Sequence, residues 1–114
     1  MRYAIVPVLL AAVTATLSLG QPAFGSAATV RVTETDMKLA LNVTSAPKGS
    51  VNFLVTNKGQ VPHDFKIAGM KTSTLAPGKS AKLVVRFAKA GKYPFLCTLP
   101  GHAAAGMKGS LTVK

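Results

Sequence analysis

Cys97-Thr98-Leu99-Pro100-Gly101-His102-Ala103-Ala104-Ala105-Gly106-Met107 holds three of the few side chains in this sequence able to bind a soft or borderline metal, in the order Cys-x4-His-x4-Met. Tyr93, Phe95 and Cys97 alternate ahead of it and read as one face of a strand with the thiol at its end. Pro100-Gly101 forces a turn that brings His102 back beside the thiol, and Gly106 permits a second bend returning Met107 to the same side. A second imidazole arrives from Val61-Pro62-His63-Asp64-Phe65, behind a turn at Asn57-Lys58-Gly59. The chain thus offers two imidazoles, one thiolate and one thioether to a single point. Singly, a cysteine is usually a small buried hydrophobe. The ordered spacing and the Pro-Gly turn favour a joint role. Met37 and Met70 lie outside the pattern and read as packing residues.

Outward from this stretch the chain is a series of short strand-like runs between turns. Thr29 to Thr33 alternates β-branched residues, and Met37 to Leu41 alternates apolar and polar until Pro47-Lys48-Gly49-Ser50 breaks the run. Val51, Phe53 and Val55 form one face of the next strand. Phe65-Lys66-Ile67 is brief and ends at Gly69. Pro77-Gly78 precedes Ser80 to Phe87, in which Ala81, Leu83 and Val85 share a face, and Ser110 to Val113 closes the series. No amphipathic helix is evident, and Ala103-Ala104-Ala105 is too short to stand as one. Pro94 cannot donate to a ladder, so it requires an edge, a bulge or a place without a neighbour. An all-β sandwich or small barrel follows. A bound metal would stabilise so small a domain by binding the folded state alone.

The sequence has 114 residues, 14 Lys and Arg against three Asp and Glu, and a formal net charge of +11. That length holds one small domain. The lone cysteine excludes an intramolecular disulfide framework and any CxxC zinc cluster. Arg2, an apolar run from Ala4 to Leu19 and small residues after Pro22 have the form of a secretory signal peptide; the run is too short for a membrane span of ~20 residues. Residues 1–28 are therefore expected to be a cleaved leader, with the cut between Gly25 and Ala28, and residues 29–114 the mature domain. That domain keeps every cation but Arg2 and all three acids, a net +10, and no integral membrane segment is expected in it. A periplasmic or otherwise extracytoplasmic location follows. The charge is then expected to serve acidic protein partners, and no nucleic acid, since single lysines are scattered without a stacking platform.

Two histidines and a cysteine in a trigonal plane, with a long axial methionine, is the ligand set of blue-copper electron transfer. Asn57-Lys58-Gly59…Pro62-His63-Asp64-Phe65, Gly91-Lys92-Tyr93-Pro94-Phe95-Leu96-Cys97 and Pro100-Gly101-His102…Gly106-Met107-Lys108-Gly109 resemble the cupredoxins, the plastocyanin and azurin group. The resemblance covers essentially the whole mature chain, and the loop spacing is similar to rusticyanin-like and auracyanin-like members. It implies a single Greek-key β-sandwich holding one type 1 copper ion. His63, Cys97 and His102 would be the equatorial ligands and Met107 the axial one. It also implies a one-electron carrier, not an enzyme, with redox proteins such as a cytochrome or oxidase as partners. Asp64 stands where relatives often have Asn or Ser. It is expected to accept a hydrogen bond from a backbone N–H near Thr98 and to offer its own N–H to the Cys97 sulfur, as Leu99 also can. Leu99, Pro100, Gly101 and Ala103 to Ala105 would form an uncharged patch around His102.

Two rivals remain. A copper oxidase or nitrite reductase needs histidines beyond the two present. A copper chaperone or copper-resistance protein is the stronger alternative, although such proteins generally bind through exposed His and Met clusters. Zinc suits Cys and His ligands, but the methionine in the fourth position argues against it.

Overall fold

The computed structural model describes residues 27–114. Residues 1–26 of the expected leader lie outside the described residues, and the zone expected to hold the cut, Gly25 to Ala28, reaches the start of the first strand. Nine strands follow in order: β1 (Ala28–Thr35), β2 (Lys38–Leu41), β3 (Ser45–Ala46), β4 (Gly49–Asn57), β5 (Lys66–Ile67), β6 (Met70–Lys71), β7 (Ser80–Phe87), β8 (Gly91–Leu96) and β9 (Lys108–Val113). They make two sheets, one ordered β2-β1-β4-β7 and the other β3-β9-β8-β5-β6. The chain forms one all-β domain, and among the described residues no helix is long and apolar enough to cross a membrane.

Alternation along the strands builds the core. Val30 and Val32 of β1, Val51, Phe53 and Val55 of β4, and Leu83, Val85 and Phe87 of β7 point inward from the first sheet. Ile67, Phe95, Leu111 and Val113 answer from the second. Aromatic rings join the two layers. Phe53 lies 5.3 Å from Phe65 between ring centroids, Phe65 lies 5.7 Å from Phe95, and Phe87 meets Tyr93 edge-on at 4.8 Å. Such pairs add about 0.5–1.5 kcal/mol each beyond the area they bury.

Three details differ from the sequence expectation. β4 begins at Gly49, two residues ahead of Val51, because Ser50 pairs with Arg86 across the β4–β7 ladder. The brief run at Phe65 does end before Gly69, but Ala68-Gly69 turn it into a hairpin with an additional strand, β6. Met70 lies on that strand 47 % exposed, so it is a surface residue and not a packing one, whereas Met37 is half-buried in the β1–β2 turn. Pro94 finds the place it needs. It faces Ser110 of β9, while on its other side β5 has already ended at Ile67, opposite Phe95.

Candidate metal centre

Three connections meet at one end of the sandwich: β1–β2 with Asp36, β4–β5 with His63, and β8–β9 with Cys97, His102 and Met107. His63 is fully buried and its main chain is clamped to Leu75 in both directions, N–H to O at 3.0 Å and O to N–H at 2.7 Å. The loop carrying it is wired by buried Asn57. The Asn57 amide donates to the carbonyls of Val61 (2.9 Å) and Leu75 (2.8 Å), and its oxygen accepts from Gly59 N–H (2.8 Å).

The β8–β9 connection is equally fixed. Cys97 N–H donates to Met107 O at 3.1 Å, and Met107 N–H donates to His102 O at 3.1 Å, so the main chain of Met107 is tied to both other members of the loop. Gly101 and Gly106 supply the two bends in left-handed conformations, with φ of 79° and 111°. Both bends stand where the Pro-Gly and Gly106 signals put them.

His63, Cys97 and His102 converge. Their candidate ligand atoms all lie within 4.8 Å of one another. His63 Nδ1 is 3.2 Å from His102 Nδ1, and His102 Nδ1 is 3.4 Å from Cys97 Sγ. Bonds of about 2.0–2.1 Å from nitrogen and about 2.3 Å from sulfur, the lengths zinc makes, would hold three such atoms about 3.5 Å apart around a shared centre. The donor set therefore fits a first-row metal ion. Met107, on the same loop as Cys97 and His102, is fully buried.

The Cys97 thiol also has polar neighbours from the His63 loop. Asp64 N–H donates to Cys97 Sγ at 3.5 Å. The Asp64 carboxylate accepts Thr98 N–H at 2.6 Å and also the Thr98 hydroxyl, which ties the two loops together as the sequence led us to expect. Burial pushes the Cys97 thiol above its ordinary range. The N–H groups of Asp64 and Leu99 pull it down, and the Asp64 charge adds to the rise. A metal cation at this point would reverse that balance and hold the thiolate.

Two carboxylates here carried no sequence signal as site residues. Asp36 Oδ1 lies 2.9 Å from His63 Nε2, and that hydrogen bond, followed by the one from Gln60 N–H, holds the carboxyl below its usual range. Its partner is 27 positions away, which no local pattern reveals. Glu34 continues the inward alternation of Val30 and Val32. It is fully buried, and neither carboxyl oxygen has a hydrogen-bond partner among the described residues. Burial, and secondarily the charge of Asp64, pushes its pKa from 4.5 up to about 8. All three acids of the chain thus gather at this end.

Around His102, which is half-buried, Leu99 and Ala103 are half-buried, and Pro100, Gly101, Ala104 and Ala105 are exposed. The uncharged patch expected there is present.

A family model described as a cupredoxin-like domain matches residues 7–113. The chain belongs to the cupredoxin-like family. Among its relatives is the copper-resistant cuproprotein CopI of Vibrio cholerae, 32% identical over 82% of this chain and 70% of that protein. Auracyanin-B of Chloroflexus aurantiacus is 44% identical over 46% of this chain and 22% of that one. In fold, this cupredoxin is similar to a dithionite-reduced auracyanin from Roseiflexus castenholzii. The TM-score is 0.66 at 22% identity, over 79% of this chain and 99% of that one. Family membership and the His63–Cys97–His102 cluster together point to copper as the metal.

Proposed function

We propose that this protein is an exported one-electron carrier in which His63, Cys97 and His102 would hold a type 1 copper ion, with Met107 as the fourth ligand. The observation that carries it is the convergence of two imidazoles and one thiol within 4.8 Å at the end of a cupredoxin sandwich. Copper bound there supplies Cu(I)/Cu(II) chemistry, and the protein's part is to keep the ligands still between the two states. His63 is clamped to Leu75, and the Cys97 and His102 loop is braced through Met107 and through Asp64. Ligands so held need little rearrangement when one electron is gained or lost. Half-buried His102, ringed by uncharged residues, is the electron's exit, and the dispersed lysines steer redox partners with acidic docking faces. No catalysis is included, since both histidines of the sequence are committed to the metal. Export rests on the leader-like pattern of residues 1–28.

A second reading, copper handling in resistance, is favoured by the CopI relative. One experiment separates the two: cycle the copper-loaded protein between reduced and oxidised states in the presence of a Cu(I) chelator. An electron carrier keeps its copper and gives a reversible one-electron wave. A protein that surrenders Cu(I) to the chelator on each reduction overturns the carrier reading in favour of copper handling.

A further inference from the structure

We infer that Asp36 is a positioning residue for His63: through Nε2 it sets the imidazole tautomer that leaves Nδ1 bare toward Cys97 and His102, and its charge favours the oxidised metal. This rests on the reading of His63 as a ligand and deepens it.

The geometry is specific. The His63 ring is fully buried with Nδ1 in the cluster and Nε2 2.9 Å from Asp36 Oδ1. A carboxylate only accepts, so the proton of a neutral His63 must sit on Nε2, and Nδ1 then carries the lone pair a metal requires. Asp36 is itself oriented. Gln60 N–H donates to both of its oxygens at 3.0 Å, and Val61 N–H reaches Oδ1 at 3.4 Å. Those two donors belong to the loop that carries His63, so the carboxylate and the imidazole move as one unit.

Gly59 gives the pair its room. A Cβ there would overlap Asp36 Oδ1 and lie 3.0 Å from His63 Nε2. The Gly59 backbone is not left-handed, so the glycine is needed for space and not for conformation. Asp36 therefore meets the requirements of an outer partner that fixes the tautomer and ring orientation of a ligating histidine.

Removing such a partner typically costs about 10–100-fold in metal affinity. The Asp36 side chain is 37 % exposed, which screens its charge and places the expected loss near tenfold. If that tenfold falls on the oxidised ion alone, the reduction potential rises by about 59 mV.

The test uses the full chain and three variants, Asp36→Ala, Asp36→Asn and Gly59→Ala. Long-range proton–nitrogen spectra of the metal-free protein read the His63 tautomer, and voltammetry of the copper-loaded protein reads the potential. Wild type is expected to hold the proton on Nε2. Asp36→Ala and Gly59→Ala lose that preference and raise the potential. Asp36→Asn, which keeps an acceptor without the charge, retains the tautomer and still raises the potential. An Nδ1–H tautomer in wild type, or a tautomer and potential indifferent to Asp36→Ala, overturns the inference. The copper reading fails separately. A wild type without a thiolate-to-copper band would contradict that reading, while an Asp36-dependent tautomer in the same sample would still support the positioning role.

Discussion

Glu34→Gln should abolish a large part of the pH dependence of this protein's stability. Glu34 is fully buried, with both carboxyl oxygens unpartnered among the described residues, and its pKa is raised from 4.5 to about 8, first by burial and then by the charge of Asp64. The folded state keeps this proton over a range in which the unfolded chain has lost it. A raised folded pKa contributes stability that is complete below 4.5 and is lost as pH rises through about 8. Within that window stability falls by up to about 1.4 kcal/mol per pH unit. Between pH 5 and pH 7.5 the loss is about 2–3 kcal/mol, a sizeable share of a small domain's stability. Glutamine has the same shape and no proton to lose. Its own unpartnered amide adds a cost that does not depend on pH. The assay is urea unfolding of both metal-free proteins, under reducing conditions, at pH 5, 6.25 and 7.5. The variant is expected to gain about 2–3 kcal/mol on wild type across the window. A difference that stays flat would mean that Glu34 is ionised and solvated or paired in the fold, and would refute the reasoning.

Gly109→Ala should destabilise by about 1–3 kcal/mol, read from the urea midpoint, because Gly109 faces Phe95 across the β8–β9 ladder and a Cβ would overlap the ring. Asn57→Ala should cost about 1–3 kcal/mol in the same assay, since it takes the side-chain partner from the Val61 carbonyl and the Gly59 N–H and leaves the Leu75 carbonyl to His63 N–H alone. Zinc at about 100 times its dissociation constant should stabilise wild type by about 2.7 kcal/mol in thermal unfolding, and Cys97→Ser should remove most of that gain.

The parts of the molecule legible in the sequence are those that local chemistry specifies. β7 was readable end to end because Ala81, Leu83 and Val85 alternate with Lys82 and Arg86 after a Pro-Gly turn. The metal loop was readable because ligand spacing and bend residues agree; its tie to Thr98 follows from a short acceptor beside His63, and its tie to Cys97 from the backbone N–H of that same residue, Asp64. The two-residue strands β3, β5 and β6 are too short to show a period, and only their partners make them strands. Glu34 sits in register with Val30 and Val32, yet its charge argues against the burial that the register imposes. Asn57 was readable as a turn residue, but its three hydrogen bonds join segments up to 18 positions apart. Asp36 is an ordinary turn aspartate until the fold brings His63 to it across 27 residues. What the sequence hides is the outer support of the site, because that support is assembled from contacts distant along the chain.

The most direct test of the account is a titration of the purified protein with Cu(II), followed by visible absorption, with Cys97→Ser alongside. The expected result is one copper per chain and an intense blue or green thiolate-to-copper band in wild type, absent from Cys97→Ser. A colourless complex, or a spectrum that Cys97→Ser leaves unchanged, would contradict it.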